Sequence, residues 1–341
     1  MTNASINNVL ADFFESADFE KVTNIQSLWS GYGEIARYRF TSVKLIEKFG
    51  FKLFIVKHIA PPQQVQHPRG WSGSVSHQRK IDSYQVEANF YQTLAKRCND
   101  DCLVPTFLGE RHFVEKGQAS QLILMSDLDS QGFPVRAASL NLEQTKLCLR
   151  WLAQFHANFM HRTTDNTHDG LWPIGSYWHL ATRQEEWQVM PESELKQQAG
   201  KIDKLLNNCE YKTIIHGDAK VANFCFNDDF TDIAAVDFQY VGSGCGVKDL
   251  VYLIGSCLSE TDCENNFTQL VNEYFTQLRQ ALSLYQPQLD SNLVVKDWHR
   301  LVDLAWADFE RFLVGWAPNH KKRNRFSQQI TNRALESIRG F

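Results

Sequence analysis

The spacing of apolar residues changes near residue 135, and this change sets the fold class. Before it, short apolar runs alternate as strands do; after it, most apolar residues recur at steps of three and four. Residues 25–40 read as two strands around Ser30-Gly31-Tyr32-Gly33, residues 51–59 as a third, and 104–114 and 122–128 as two more. A short amphipathic segment with Val9, Phe13 and Phe14 precedes them. Residues 61–79 read as a polar surface loop, and Val86, Phe90 and Leu94 place a helix over 81–97. In the second part, 142–160 is the strongest helical stretch. Only 212–237 interrupts the helices, with two apolar runs, Thr213-Ile214-Ile215 and Ile233-Ala234-Ala235-Val236, each followed by polar residues including an Asp. The expectation is an α+β chain with a small antiparallel-sheet lobe over 1–130 and a larger, mostly helical lobe over 131–341.

Charge and composition narrow the partners. Lys plus Arg number 35 against 39 Asp plus Glu, a net charge of -4, without the basic excess that a phosphate backbone requires. Nucleic acid is therefore not an expected partner. No stretch reaches the roughly 18 apolar residues of a membrane span, and residues 1–20 carry no Lys or Arg. A cytoplasmic protein without a membrane partner is the expectation. The eight cysteines are scattered, with only Cys98 and Cys102 close in sequence, and read as reduced structural thiols. A redox or metal role for that pair is the alternative.

The segment that points to chemistry is Ile215-His216-Gly217-Asp218-Ala219-Lys220-Val221-Ala222-Asn223, followed by Val236-Asp237-Phe238-Gln239. Phosphoryl transfer needs a carboxylate to orient and deprotonate a hydroxyl, oxygen ligands for magnesium on the nucleotide, and positive charge near the transferred group. Kinases meet these needs with His-Arg-Asp-x-x-x-x-Asn and a later Asp-Phe-Gly. This chain has the same spacing, with Gly217 for the Arg and Gln239 for the last Gly. Asp218 reads as the catalytic base, and Asn223 and Asp237 as magnesium ligands. His216 reads as a hydrogen-bonding support for the loop, since a second base so close would compete for the same proton.

His-Gly-Asp-x-x-x-x-Asn with a strand-terminal Asp resembles the aminoglycoside phosphotransferase and choline kinase superfamily. Val236-Asp237-Phe238-Gln239, Arg79-Lys80-Ile81-Asp82-Ser83-Tyr84-Gln85-Val86-Glu87 and Phe309-Glu310-Arg311-Phe312-Leu313-Val314-Gly315-Trp316 resemble its ecdysteroid-kinase-like branch. The similarity runs over about residues 25–325 and implies a bilobal, protein-kinase-like fold that uses ATP and Mg2+. It further implies that Lys220 lies near the transferred phosphate, a solvated lysine being the alternative. It implies too that Asp249 braces the catalytic loop, where helix capping is the alternative. His156, within Leu152-Ala153-Gln154-Phe155-His156-Ala157, matches a superfamily pattern and reads as structural.

The first lobe should clamp the nucleotide. Lys57 sits inside the apolar run Phe54-Ile55-Val56-Lys57, where an unpaired ammonium is costly. Kinases pair such a lysine with phosphates and a helix glutamate, here Glu87, with Asp82 as competitor. A lysine reaching water from the strand end is the other reading. Alternation puts Ile55 on the same face, to roof the adenine. Gly31 and Gly33 would let backbone N–H groups approach the phosphates, although two glycines also suit an ordinary hairpin. Backbone groups from Ser126 to Leu128 would bond the adenine edge, and Met125 would pack.

Together these residues indicate an ATP- and magnesium-dependent kinase acting on the hydroxyl of a small molecule: an amino alcohol, an aminoglycoside-like or a steroid-like alcohol. A pseudokinase or nucleotide-binding scaffold is the rival. A protein kinase is disfavoured, because Gly217 replaces the arginine and no Ala-Pro-Glu follows Asp237. Trp298, Val302, Ala305, Phe309, Phe312 and Trp316 form a stripe suited to core packing. The adjoining face, Asp303, Trp306 and Glu310, is the candidate contact for the acceptor, by cation–π contact and hydrogen bonds. A solvated face with Glu310 paired to an arginine, or a pocket at 172–178, are the alternatives.

Overall fold

The computed structural model describes residues 5–62, 74–162 and 170–339. The chain divides into two compact units, one of Met1–Lys96 and Val104–Pro134, the other of Arg97–Leu103 and Val135–Phe341.

The first unit runs α1 (Ile6–Phe14), β1 (Phe19–Ser27), β2 (Gly33–Phe40), α2 (Val43–Phe49), β3 (Leu53–Ile59), α3 (Ser74–Thr93), β4 (Phe107–Glu115) and β5 (Gln118–Ser126). Its described strands make one antiparallel sheet in the order β1-β2-β3-β5-β4. Alternation along the strands gives the sheet two different faces. Ala36, Tyr38 and Phe40, Phe54 and Val56, and Leu122 and Leu124 are buried together with Leu10 and Phe14 of α1 and Leu45 of α2. The Phe14 ring meets Phe40 and Phe54 edge-on at 5.0 and 5.1 Å between centroids. Each such side chain contributes about 1.5–3 kcal/mol by leaving water. Register pairs Ile35 with Lys57 and Lys57 with Ile123, so the other face carries Lys57 and Ile55. β1 is an exposed edge guarded by charge, with Lys21 bonded to Glu34 at 2.6 Å and Arg39 to Glu20.

Helix α2 is absent from the sequence expectation, and α3 begins at Ser74, inside the stretch expected to be loop. The rest of that expected loop, 63–73, lies outside the described residues.

The second unit holds α4 (Leu142–Asn158), β6 (His161–Arg162), α5 (Gln184–Gln188), α6 (Glu194–Asn207), β7 (Tyr211–Ile215), β8 (Phe224–Phe226), β9 (Ile233–Ala235), β10 (Gly242–Gly244), α7 (Val247–Cys257), α8 (Glu260–Tyr285), α9 (Ser291–His299), α10 (Val302–Trp316) and α11 (Arg325–Ile338). Helix α4 starts on a reciprocal cap, Asn141 with Gln144, and buries Trp151, Leu152, Phe155 and His156. β7 pairs with β6 and β10, and β8 with β9, so 212–237 supplies short strands that end in polar turns. The apolar stripe is not one helix: Trp298 belongs to α9, where its indole N–H donates to the Tyr211 carbonyl at 2.9 Å, and α10 starts after a break. No helix among the described residues is long and apolar enough to cross a membrane.

Candidate active site

Within the second unit, the loop that carries Asp218 leaves β7 at Ile215 and is held from beneath by α7. Both Asp249 carboxylate oxygens accept backbone N–H groups, His216 at 2.6 Å and Gly217 at 3.0 Å, and the first also bonds His156 Nε2 at 3.1 Å. Gly246 takes the cap of α7, so Asp249 braces the loop and does not cap the helix. His216 bonds the Val236 carbonyl through Nε2 at 3.0 Å and accepts the Asp218 N–H at Nδ1, 3.3 Å, which makes it a support for both Asp-bearing turns.

On that support Asp218 is buried, with Oδ2 accepting from Lys220 Nζ at 2.7 Å and from Asn223 Nδ2 at 3.2 Å. Asn223 also donates to the Asp218 carbonyl at 2.8 Å, which turns its amide oxygen away from the Asp218 carboxylate. Burial raises the Asp218 pKa; Lys220 opposes this and Asp237 adds to it. Burial pulls the Lys220 ammonium down, but the Asp218 and Asp237 carboxylates outweigh that and leave it above its ordinary value. Asp237 follows β9 at φ +71°, its Oδ1 accepting from Gln239 Nε2 at 2.6 Å. Asn223 and Asp237 thus offer an amide and a carboxylate oxygen, the hard donors magnesium takes when phosphates complete its shell.

Sequence reasoning offered residues 172–178 only as an alternative pocket and missed Tyr252, which joins them beside Asp218. The 172–178 segment runs along the loop: the Tyr177 N–H donates to the Gly217 carbonyl at 3.2 Å and Ser176 N–H to Tyr240 at 3.1 Å. Tyr177 O–H donates to Tyr252 O–H at 3.1 Å, and the Tyr252 phenol feels the charge of the Asp218 carboxylate. Burial, then Tyr177 and Asp218, hold the Tyr252 phenol well above its ordinary pKa, so it stays a donor. Trp178, Phe309, Phe312 and Leu313 pack around Tyr252. The clue was Trp172-Pro173-Ile174-Gly175-Ser176-Tyr177-Trp178, an aromatic-rich run without helical or strand period.

In the first unit Lys57 and Glu87 are both buried, 2.5 Å apart, with the Tyr84 ring 5.4 Å from the ammonium. Asp82 instead accepts from Gln78 on its own helix at 2.8 Å. Ile55 lies half-buried on the Lys57 face. The glycines divide: a Cβ on Gly33 would sit 1.9 Å from the His58 carbonyl oxygen, so β3 requires that glycine, whereas Gly31 is exposed at the tip. In the 126–128 segment the Ser126 N–H is already bonded to the Thr106 carbonyl at 2.9 Å. The Leu128 carbonyl accepts from Gly132 and Phe133, and Arg37 of β2, unnoticed in the sequence, bonds Asp127 at 2.5 Å and also Asp129.

The face chosen for the acceptor is also corrected. Asp303 is gripped by Arg333 through two 2.7 Å bonds, Trp306 donates to Ser327 at 2.9 Å, and Glu310 bonds Ser327 and Arg323 at 2.8 Å each. Arg333 and Ser327 lie on α11, so these side chains fasten one helix to another and the pairing of Glu310 with an arginine prevails. The eight cysteines are free thiols, and no cluster of three or more His, Cys, Asp or Glu suited to a metal occurs among the described residues.

A sheet-bearing unit followed by a helical unit with this loop is a protein-kinase-like α+β architecture. A choline kinase from Cryptosporidium parvum Iowa II shares it at 10% identity, over 98% of this chain and 95% of its own, with a TM-score of 0.52. A microcompartment-associated aminopropanol kinase is 15% identical over 97% of each chain with a TM-score of 0.47. An aminoglycoside 2'-phosphotransferase-IIIa in complex with GDP is 10% identical over 97% of this chain and 98% of its own, with a TM-score of 0.45. None of the curated proteins matches. The model of the ecdysteroid kinase-like family matches residues 67–170 and 179–286, more than half of the chain, and the chain belongs to that family.

Proposed function

We propose that the protein transfers the γ-phosphoryl group of ATP, with magnesium, to a hydroxyl of a small-molecule alcohol. The observation that supports this most is the single turn in which buried Asp218 is bonded to Lys220 and Asn223 and feels the charge of Asp237. In this reading the acceptor oxygen bonds to the γ-phosphorus as the bond to the β-phosphate oxygen breaks, ADP leaves, and Asp218 takes the hydroxyl proton. Lys220 offsets charge on the transferred group. Asn223 and Asp237 hold magnesium, which neutralises the phosphate oxygens when bound. Lys57, oriented by Glu87, holds the α- and β-phosphates, with Ile55 against the base. Free thiols throughout suit a reducing compartment and so a cytoplasmic site of action.

The test is transfer from labelled ATP across a panel of alcohols. Asp218→Asn should lower the rate about 100- to 10,000-fold while leaving nucleotide affinity nearly unchanged, since the base acts on the acceptor. Parent-like rates in that variant would remove Asp218 from catalysis. Magnesium-dependent ATP binding with no transfer to any alcohol would favour a pseudokinase.

A further inference from the structure

Lys322 lies in the turn between α10 and α11 and reaches the aromatic group beside Asp218. Its Nζ is 4.8 Å from the Tyr252 ring centroid and 5.3 Å from that of Phe309. The turn is fixed from several directions. The Lys322 N–H donates to His320 Nδ1 at 3.2 Å, the Arg323 N–H to the His320 carbonyl at 2.9 Å, and the Arg323 side chain is held by Glu310 and by the Pro318 carbonyl. Among the described residues no carboxylate forms an ion pair with Nζ, and the groups whose charge acts on it include Asp218, Cys257, Lys220 and Lys321.

A second cation covers the same cluster from another side: the Arg183 guanidinium is 5.3 Å from the Phe312 ring and 5.9 Å from Tyr177. Electron-rich ring faces next to a phosphotransfer base are the surroundings that attract an ammonium group. Here the chain supplies that ammonium itself. A cationic acceptor would have to displace Lys322 or approach a like charge, whereas an oxygen lone pair or an anionic group would give Nζ the partner it lacks.

Resting on the phosphotransfer reading, we propose that Lys322 is a specificity-determining residue: it fills the aromatic box of Tyr252 and Phe309 beside Asp218, bars ammonium-bearing alcohols, and selects an alcohol that presents an oxygen acceptor to its Nζ. Burial pulls the Lys322 ammonium down to about 8, with Asp218 opposing the shift, so the group is still mostly charged at neutral pH. This separates the acceptor from the amino alcohols that the sequence left open.

The test uses tetramethylammonium as probe, with binding to the intact protein read by calorimetry and no turnover required. Wild type should bind it weakly or not at all, and Lys322→Met, which keeps the stem and removes the charge, should bind it about tenfold tighter or more. Lys322→Gln serves as second variant, with urea unfolding confirming that each is folded. Equal affinity in wild type and both variants, or no binding to any of them, overturns the box. In wild type, transfer to choline faster than to uncharged and carboxylate-bearing alcohols of similar size overturns the selection. Magnesium–ATP binding is measured in parallel: its absence, with the gain of tetramethylammonium binding intact, sinks the phosphotransfer reading and leaves the filled box standing.

Discussion

At Gly217 the backbone has φ +76°, and a Cβ would fall 2.1 Å from the Tyr240 carbonyl oxygen and 2.7 Å from the Ser176 nitrogen. That explains why the chain departs from the kinase His-Arg-Asp pattern at this position: no side chain fits where the loop crosses two other backbones. The need was invisible in the sequence, because the neighbours come from 41 residues upstream and 23 downstream by numbering. Asp218, Asn223 and Asp237, by contrast, were legible from their spacing, since one turn sets the first pair and a strand end sets the third. Asp249 was legible only through resemblance; alone, an acid at the start of a helix reads as a cap. Asp249→Asn should therefore cost about 1–3 kcal/mol, because one of the two backbone N–H groups would then face an amide NH2 in a buried site. Urea unfolding reads the loss. Turnover should fall with little change in KM for ATP; unchanged stability and turnover would mean that the two bonds are dispensable.

Among the elements, those with a long regular period were readable and those defined by their ends were not. Residues 142–160 resolved into α4 almost as expected, because 17 residues repeat the helical spacing. Helix α2 has only seven residues, yet its signals were present: Ser42 at the start and Gly50, at φ +78°, at the end. The stripe from Trp298 to Trp316 kept its spacing across a break, and period alone cannot report such a break. Its neighbouring face was misread for the same reason, as Asp303, Trp306 and Glu310 are polar enough to look like a binding surface until α11 covers them. Glu310 now has a definite task, to clamp Arg323 and with it the turn carrying Lys322. Glu310→Gln should destabilise by on the order of 1–3 kcal/mol, since a buried charge-assisted bond is weakened. In a double-mutant cycle with Arg323→Met, the pair should be less destabilising than the sum of the singles. Additive losses would show that the clamp does not exist.

Across the whole molecule the passage from a strand-rich part to a helical part was readable, apart from α2, but which segments build each unit was not. Arg97–Leu103 belongs to the second unit although the first unit's chain flanks it on both sides, because Arg97 and Asn158 exchange two 2.6 Å bonds and the Trp151 indole donates to the Leu103 carbonyl at 3.1 Å. Hydrophobic period carries no trace of such polar stitching. The division also assigns the proposed work: the Lys57–Glu87 pair lies in the first unit, and the proposed base and metal ligands lie in the second. Substitutions in the two units should then leave different kinetic signatures. Lys57→Met and Glu87→Gln should each raise KM for ATP, the first by removing the phosphate contact and the second by leaving Lys57 without its 2.5 Å partner. Each single also disturbs a buried ion pair, at a cost of about 3–5 kcal/mol where one partner is left charged and alone. The double variant should accordingly lose less stability, and less ATP affinity, than the two singles add up to. Asp237→Asn, in the other unit, should instead raise the magnesium concentration needed for half-maximal rate. Steady-state rates over a grid of ATP and magnesium concentrations separate the two patterns. An Asp237 variant that changes neither turnover nor magnesium dependence, or clean additivity of Lys57→Met with Glu87→Gln, would break this division of labour.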